Sequence, residues 1–126
     1  MNRHAQKGFT LVELMVVMAI IATLLTIAVP RYFHSVEKSR EAVLRQNLSL
    51  TRDALDKYYG DNGKYPDSLE DLASKRYLRS LPVDPITGYG TTWIIEPPDT
   101  PEKGGVFNIR SGAPGKARDG SEYKDW

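Results

Sequence analysis

No cysteine occurs anywhere in the chain, which excludes a disulfide framework, a thiolate metal site and a cysteine nucleophile. Histidine is nearly as scarce: only His4 and His34 are present, so there is no histidine cluster and no zincin pattern. Neither sign of charge dominates. Seventeen basic and sixteen acidic residues leave a formal charge of +1, and such a chain has no bulk field to recruit nucleic acid, polyanions or acidic substrates. Arg40, Arg45 and Arg52 are interleaved with acids that cancel a basic stripe, so no nucleic-acid partner is expected. The stretch Gly112-Ala113-Pro114-Gly115-Lys116 lacks the phosphate-loop signature, because Arg110 stands where its first glycine is required and Ala117 where its hydroxyl is required. No internal repeat or low-complexity segment appears, and the chain is expected to be no enzyme.

What is present is a concentrated apolar block. The mean hydropathy of −0.43 conceals it. Residues 9–29, FTLVELMVVMAIIATLLTIAV, run for 21 positions in which Glu13 is the only charge. As a helix the block spans about 31 Å, which matches the hydrocarbon core of a bilayer. It is longer than the apolar core of a secretory signal and lacks a small-x-small cleavage site, so it is expected to remain as an anchor. An ionised acid inside a membrane costs at least about 2.5 kcal/mol and usually has a partner and a function. A plain anchor does not explain Glu13.

The hexapeptide Gly8-Phe9-Thr10-Leu11-Val12-Glu13 is similar to the processing motif of type IV prepilins. A short basic leader (Arg3, His4, Lys7) precedes it, the apolar block follows, and Pro30 lies where that family commonly has a proline. The chain therefore resembles type IV pilin-like proteins. The resemblance implies that prepilin peptidase, a membrane-embedded aspartyl enzyme, cuts after Gly8 and methylates the new amino terminus at Phe9, so that residues 1–8 are a leader peptide. It also implies a single-pass inner-membrane protein with a cytoplasmic leader and a periplasmic head. The positive-inside count does not decide the orientation, but the 97 residues after the block are a segment long enough to translocate regardless of charge. Cleavage creates an ammonium at Phe9, four residues from the Glu13 carboxylate. The two charges pair within one chain at helical i, i+4 spacing, or the ammonium of an incoming subunit pairs with Glu13 of its neighbour. Resemblance favours the second arrangement, which makes Phe9, Glu13 and Pro30 the candidate assembly residues.

Beyond Pro30, Val36, Val43, Leu44, Leu48, Thr51, Leu55, Tyr58 and Tyr59 recur near helical spacing, and residues 30–59 read as the amphipathic half of one long helix. Glu41 with Arg45, and Arg52 with Asp56, read as i, i+4 pairs on its solvated side. Pro30 lacks an amide hydrogen and is expected to bend or loosen the helix, and Gly60-Asp61-Asn62-Gly63 to stop it. Residues 60–126 form the expected head. Asp67 and Glu70 suggest a capping box for a short helix ending near Ser74, Pro82, Asp84-Pro85 and Gly88 mark a loop, and residues 91–96 and 106–110 read as strands, with two or three expected in all. Sixty-seven residues are few for an unsupported core, so the sheet is expected to pack on the long helix. The fold class is α+β and pilin-like: a long N-terminal helix, half transmembrane and half amphipathic, on a small antiparallel sheet.

Tyr58-Tyr59-Gly60-Asp61-Asn62-Gly63-Lys64-Tyr65-Pro66 and Leu81-Pro82-Val83-Asp84-Pro85 look like turns of the major pseudopilin of type II secretion systems. Many adhesive type IV pilins close the C-terminal region with a disulfide, whereas these pseudopilins tend to use a calcium-binding loop. The resemblance thus implies a structural subunit of a periplasmic pseudopilus, with identical subunits, minor pseudopilins and an inner-membrane assembly platform as partners. It also makes calcium a candidate cofactor, with Asp119, Ser121 and Asp125 as the expected ligands in residues 111–126 and main-chain oxygens completing the shell. Pro114 departs from that pattern, standing where an acidic residue is expected. The alternative is a minor or cysteine-free type IV pilin of a motility, adhesion or DNA-uptake filament. A rival of another class is an anchored periplasmic binding module that never polymerises.

Overall fold

The computed structural model describes residues 8–126, and residues 1–7 of the expected leader lie outside them. In chain order these form α1 (Leu11–Asn62), α2 (Leu69–Ser74), β1 (Ile94–Glu96), a 3-10 turn (Pro101–Lys103), β2 (Asn108–Arg110) and a second 3-10 turn (Tyr123–Asp125). Contacts divide the chain after Glu37 into an N-terminal unit and a head unit, Lys38–Trp126.

The N-terminal unit is the apolar block with its flanks. Every residue from Leu11 to Val29 is exposed, and α1 is long and apolar enough to cross a membrane. Thr23 and Thr26 donate their hydroxyls to the carbonyls of Ala19 and Ala22, at 2.8 and 2.7 Å, so neither presents an unpaired donor to lipid. The helix continues through Pro30, where a bend or loosening was expected. Pro30 has no amide hydrogen to donate, yet the helix runs unbroken across it.

In the head unit, α1 buries Leu44, Leu48, Thr51, Ala54, Leu55 and Tyr58, one stripe of a 3.6-residue period. Leu69 and Leu72 of α2, Trp93, Val106, Ile109, Ala113, Ala117 and Tyr123 close over that stripe. Burying one leucine contributes about 1.5–3 kcal/mol, so α1 supplies a large share of the apolar support that a 67-residue head lacks by itself. Val43 and Tyr59, read from sequence as part of the stripe, are 44% and 38% exposed. The helix runs past Tyr59 to Asn62. Gly60 is tolerated within it, and the left-handed residue that stops it is Gly63, φ 71°, whose amide returns to the Tyr59 carbonyl at 2.8 Å.

α2 ends at Ser74 as expected, but its start differs. Ser68 is the N-cap and makes no side-chain cap bond; instead the Asp67 amide donates to Asp71 Oδ2 at 3.3 Å. The two strands are three residues each, antiparallel, with Ile95 opposite Ile109. They are shorter than their apolar runs. Pro97 and Pro98 lack amide hydrogens and end β1, while the Val106 amide is already committed to the Pro66 carbonyl at 2.9 Å. A Cβ at Gly104, φ 113°, would overlap the Tyr65 carbonyl, which explains the glycine at this crossing.

Two polar clusters pin the loops. Asp84 is completely buried: its Oδ1 accepts from the Ile86 and Thr87 amides, at 2.8 and 3.4 Å, and its Oδ2 accepts from Ser111 Oγ at 2.6 Å. Nearby, the Trp93 indole donates to the Pro82 carbonyl at 2.9 Å. In the second cluster, the Glu96 carboxylate accepts from Asn108 Nδ2 at 3.0 Å and from Arg110 Nε across the strand pair. These two hydrogen bonds hold the Glu96 carboxyl below its ordinary value of 4.5. Because the folded value is depressed, this contribution is present above the unfolded value and is lost as pH falls through the folded one. Acid should therefore lower the denaturant midpoint of the wild-type protein more than that of Glu96→Gln as pH falls below about 4.5. Equal acid sensitivity in both proteins would remove Glu96 as a contributor.

Candidate functional site

The processing motif sits at the start of α1. Gly8 and Phe9 are exposed, Phe9 at 84%. The Thr10 amide donates to Glu13 Oε2 at 3.1 Å, and the Glu13 amide donates to Thr10 Oγ1 at 3.1 Å. This is a reciprocal capping box: two amides at the helix N-terminus are satisfied by two side chains three residues apart. Glu13 thus has a function inside its own chain that was not read from sequence, although Thr10-x-x-Glu13 carries the signature. Among the described residues only Thr10 bonds this carboxylate, which leaves Oε1 to accept an ammonium. Pro30, the third expected assembly residue, lies exposed within the helix.

The C-terminal loop brings two of the three expected calcium ligands together. Asp119 Oδ1 accepts from the Ser121 amide at 2.9 Å and from Ser121 Oγ at 2.5 Å, while Asp119 Oδ2 lies 3.6 Å from Arg45 Nη2. The Ser121 hydroxyl and amide hold the Asp119 carboxyl below the ordinary carboxylate range. Asp125 is in the following 3-10 turn, and it lines with Ser121, Arg45, Arg52 and Trp126 an open cavity of about 550 Å³. Both arginines were read from sequence as part of a solvated helix face.

The chemistry of this donor set does not fit a calcium ion. Calcium takes six to eight oxygens, usually with several carboxylates. Among the described residues no three acidic or histidine side chains gather in one place. A guanidinium lies beside the carboxylate of Asp119, and a second cation, Arg52, lines the same cavity.

Residues 3–29 match the family model of the prokaryotic N-terminal methylation motif. The chain is 34% identical to type II secretion system core protein G of Pseudomonas aeruginosa, over 92% of its own length and 89% of the relative's. The chain belongs to the core protein G family. A second member, from Aeromonas hydrophila, is 28% identical over 100% of this chain and 96% of its own. Fimbrial protein EcpC of Eikenella corrodens is 41% identical, but over only 52% of this chain and 43% of its own. No solved structure matches the chain significantly. Likeness to core protein G therefore spans the head as well as the membrane segment, whereas likeness to the fimbrial protein covers about half of the chain.

Proposed function

We propose that this chain is the major pseudopilin of a type II secretion system: a structural, non-catalytic subunit that polymerises into a periplasmic pseudopilus and drives protein export. The observation that carries the reading is the 34% identity to a core protein G over 92% of the chain, head included. The fimbrial alternative rests on a likeness that covers only 52% of the chain. In this reading prepilin peptidase cuts after Gly8 and methylates Phe9, and the apolar block holds the subunit in the inner membrane with its leader cytoplasmic and its head periplasmic. The assembly platform and minor pseudopilins then take it into the filament.

The chemistry of assembly follows from the capping box. Cleavage places an ammonium on Phe9, one residue before Thr10, while the box fixes the Glu13 carboxylate at the helix start. At an effective dielectric of about 20, two unit charges 4 Å apart attract by about 4 kcal/mol. That attraction selects the register in which one subunit's Phe9 ammonium meets Glu13 of its neighbour.

Complementation tests the function: the gene should restore export of a reporter to a strain lacking its major pseudopilin, and export unchanged from the empty-vector level would reject the reading. Processing has its own test. Intact mass of assembled subunits should begin at N-methylated Phe9, and Gly8→Val should accumulate full-length precursor in the inner membrane. Met1 retained in assembled filaments would reject cleavage at Gly8.

A further inference from the structure

We propose that Arg45 and Arg52 of α1 close the C-terminal loop from inside the protein, in the place where a bound cation would otherwise do so, and that folding of this head is therefore independent of divalent metal. The inference stands on the head alone and holds whichever filament the subunit joins.

The two arginines are seven residues apart, two turns of α1, and so lie on nearly the same face. Arg52 is half-buried, and its guanidinium makes three bonds: Nε to Asn108 Oδ1 at 2.9 Å, and Nη2 to the carbonyls of Ile109 and Trp126 at 3.1 and 2.7 Å. One side chain thereby ties the helix to β2 and to Trp126, residues 56 to 74 positions away. Arg45 completes the closure from outside. Its guanidinium carbon lies 3.9 Å from the centre of the Trp126 ring, and its Nη2 faces Asp119.

Ser121 joins these contacts into one network, because its Oγ donates to Asp119 and accepts from Trp126 Nε1 at 2.7 Å. Glu41, one turn before Arg45, accepts from the Arg118 amide at 2.8 Å and from the Tyr123 hydroxyl at 3.2 Å. An exposed pair such as Arg45 with Asp119 contributes little by itself. What gives the closure strength is Arg52, whose half-buried fork of donors engages three acceptors.

Charge agrees with this arrangement. Within residues 111–126, Lys116, Arg118 and Lys124 balance Asp119, Glu122 and Asp125, so the segment offers no negative excess to a divalent ion. A cation at Asp119 would have to displace a guanidinium that already neutralises it.

The test is hydrogen exchange across residues 117–126 of the full-length protein in detergent micelles, with calcium and with chelator, alongside calcium titration calorimetry. Wild-type exchange should be the same in both conditions, with no saturable calcium heat. Arg52→Gln should speed exchange of the Ala117, Tyr123 and Trp126 amides by about tenfold or more, and Arg45→Met by a smaller factor, with both unresponsive to calcium. Arg45 is exposed, so Arg45→Met keeps the test valid should Arg52→Gln fail to fold. Saturable calcium binding that slows exchange of the wild-type loop would overturn the proposal, as would wild-type exchange rates in both arginine variants.

Discussion

Glu13→Ala should reduce filament yield by on the order of a hundredfold while leaving the amount of membrane-inserted subunit unchanged. Removing one member of a desolvated ion pair costs about 3–5 kcal/mol, because the surviving charge is stranded. At each subunit addition that charge is the Phe9 ammonium, and about 3 kcal/mol is more than a hundredfold in the addition equilibrium. Insertion moves the other way if at all, since deleting an acid from the apolar block eases partitioning. Alanine also removes the acceptor for the Thr10 amide, so a second variant is needed to separate charge from capping. Glu13→Gln keeps an oxygen for Thr10 and loses only the charge. Shearing assays and membrane fractionation of both variants should give low filament yield with normal insertion. Near-normal yield from Glu13→Gln would assign the function of Glu13 to the capping box and remove the ion pair from assembly.

Asp84→Ala should destabilise the head by about 3–5 kcal/mol, the cost of leaving three donors around a fully buried site without their acceptor. The Ile86 and Thr87 amides and the Ser111 hydroxyl all point at this one carboxylate, which has no exposed surface. Loss of that much is a large fraction of the stability of a small domain. Ser111→Ala removes one donor to Asp84 and the acceptor of the Ala113 amide but leaves the two amide bonds to Asp84 intact, so it should cost less, about 1–3 kcal/mol. Chemical denaturation of the full-length variants in micelles reads both values. A cost below about 1 kcal/mol for Asp84→Ala would show that water replaces the carboxylate, and the loop would then owe its shape to its prolines.

The membrane block and the buried stripe were legible because each is a local pattern: 21 apolar positions with one acid, and leucines recurring every helical turn. The position of Asp84-Pro85 as a loop was legible too, from the turn chemistry of those residue types. That Asp84 is the buried centre of the loop was not, since its partner Ser111 lies 27 residues away and no local spacing connects them. Arg45, Arg52 and Glu41 were misread for the same reason. Opposite charges four apart on a helix have a complete local explanation as a solvated face, and nothing in that spacing records a loop returning from 56 to 82 residues later. Gly60-Asp61-Asn62-Gly63 was read as the stop that ends the helix near Tyr59, but the helix runs on to Asn62, and within that segment only Gly63 takes the positive φ that ends it. At Thr10 and Glu13 a local signature was present, and the membrane context drew the reading toward charge instead of capping.

The head contains both of the protein's tryptophans, and they occupy opposite situations. Trp93 is buried with its indole fixed on the Pro82 carbonyl, whereas Trp126 is half-exposed beneath the Arg45 guanidinium and edge-on to Tyr123. Fluorescence therefore carries two separable colours of information. Emission from Trp93 follows the loop that Asp84 organises, and emission from Trp126 follows the release of the chain end from α1. A Trp126→Phe protein and a Trp93→Phe protein, unfolded side by side, would time those two openings independently, with no label added to a chain that has no thiol to carry one.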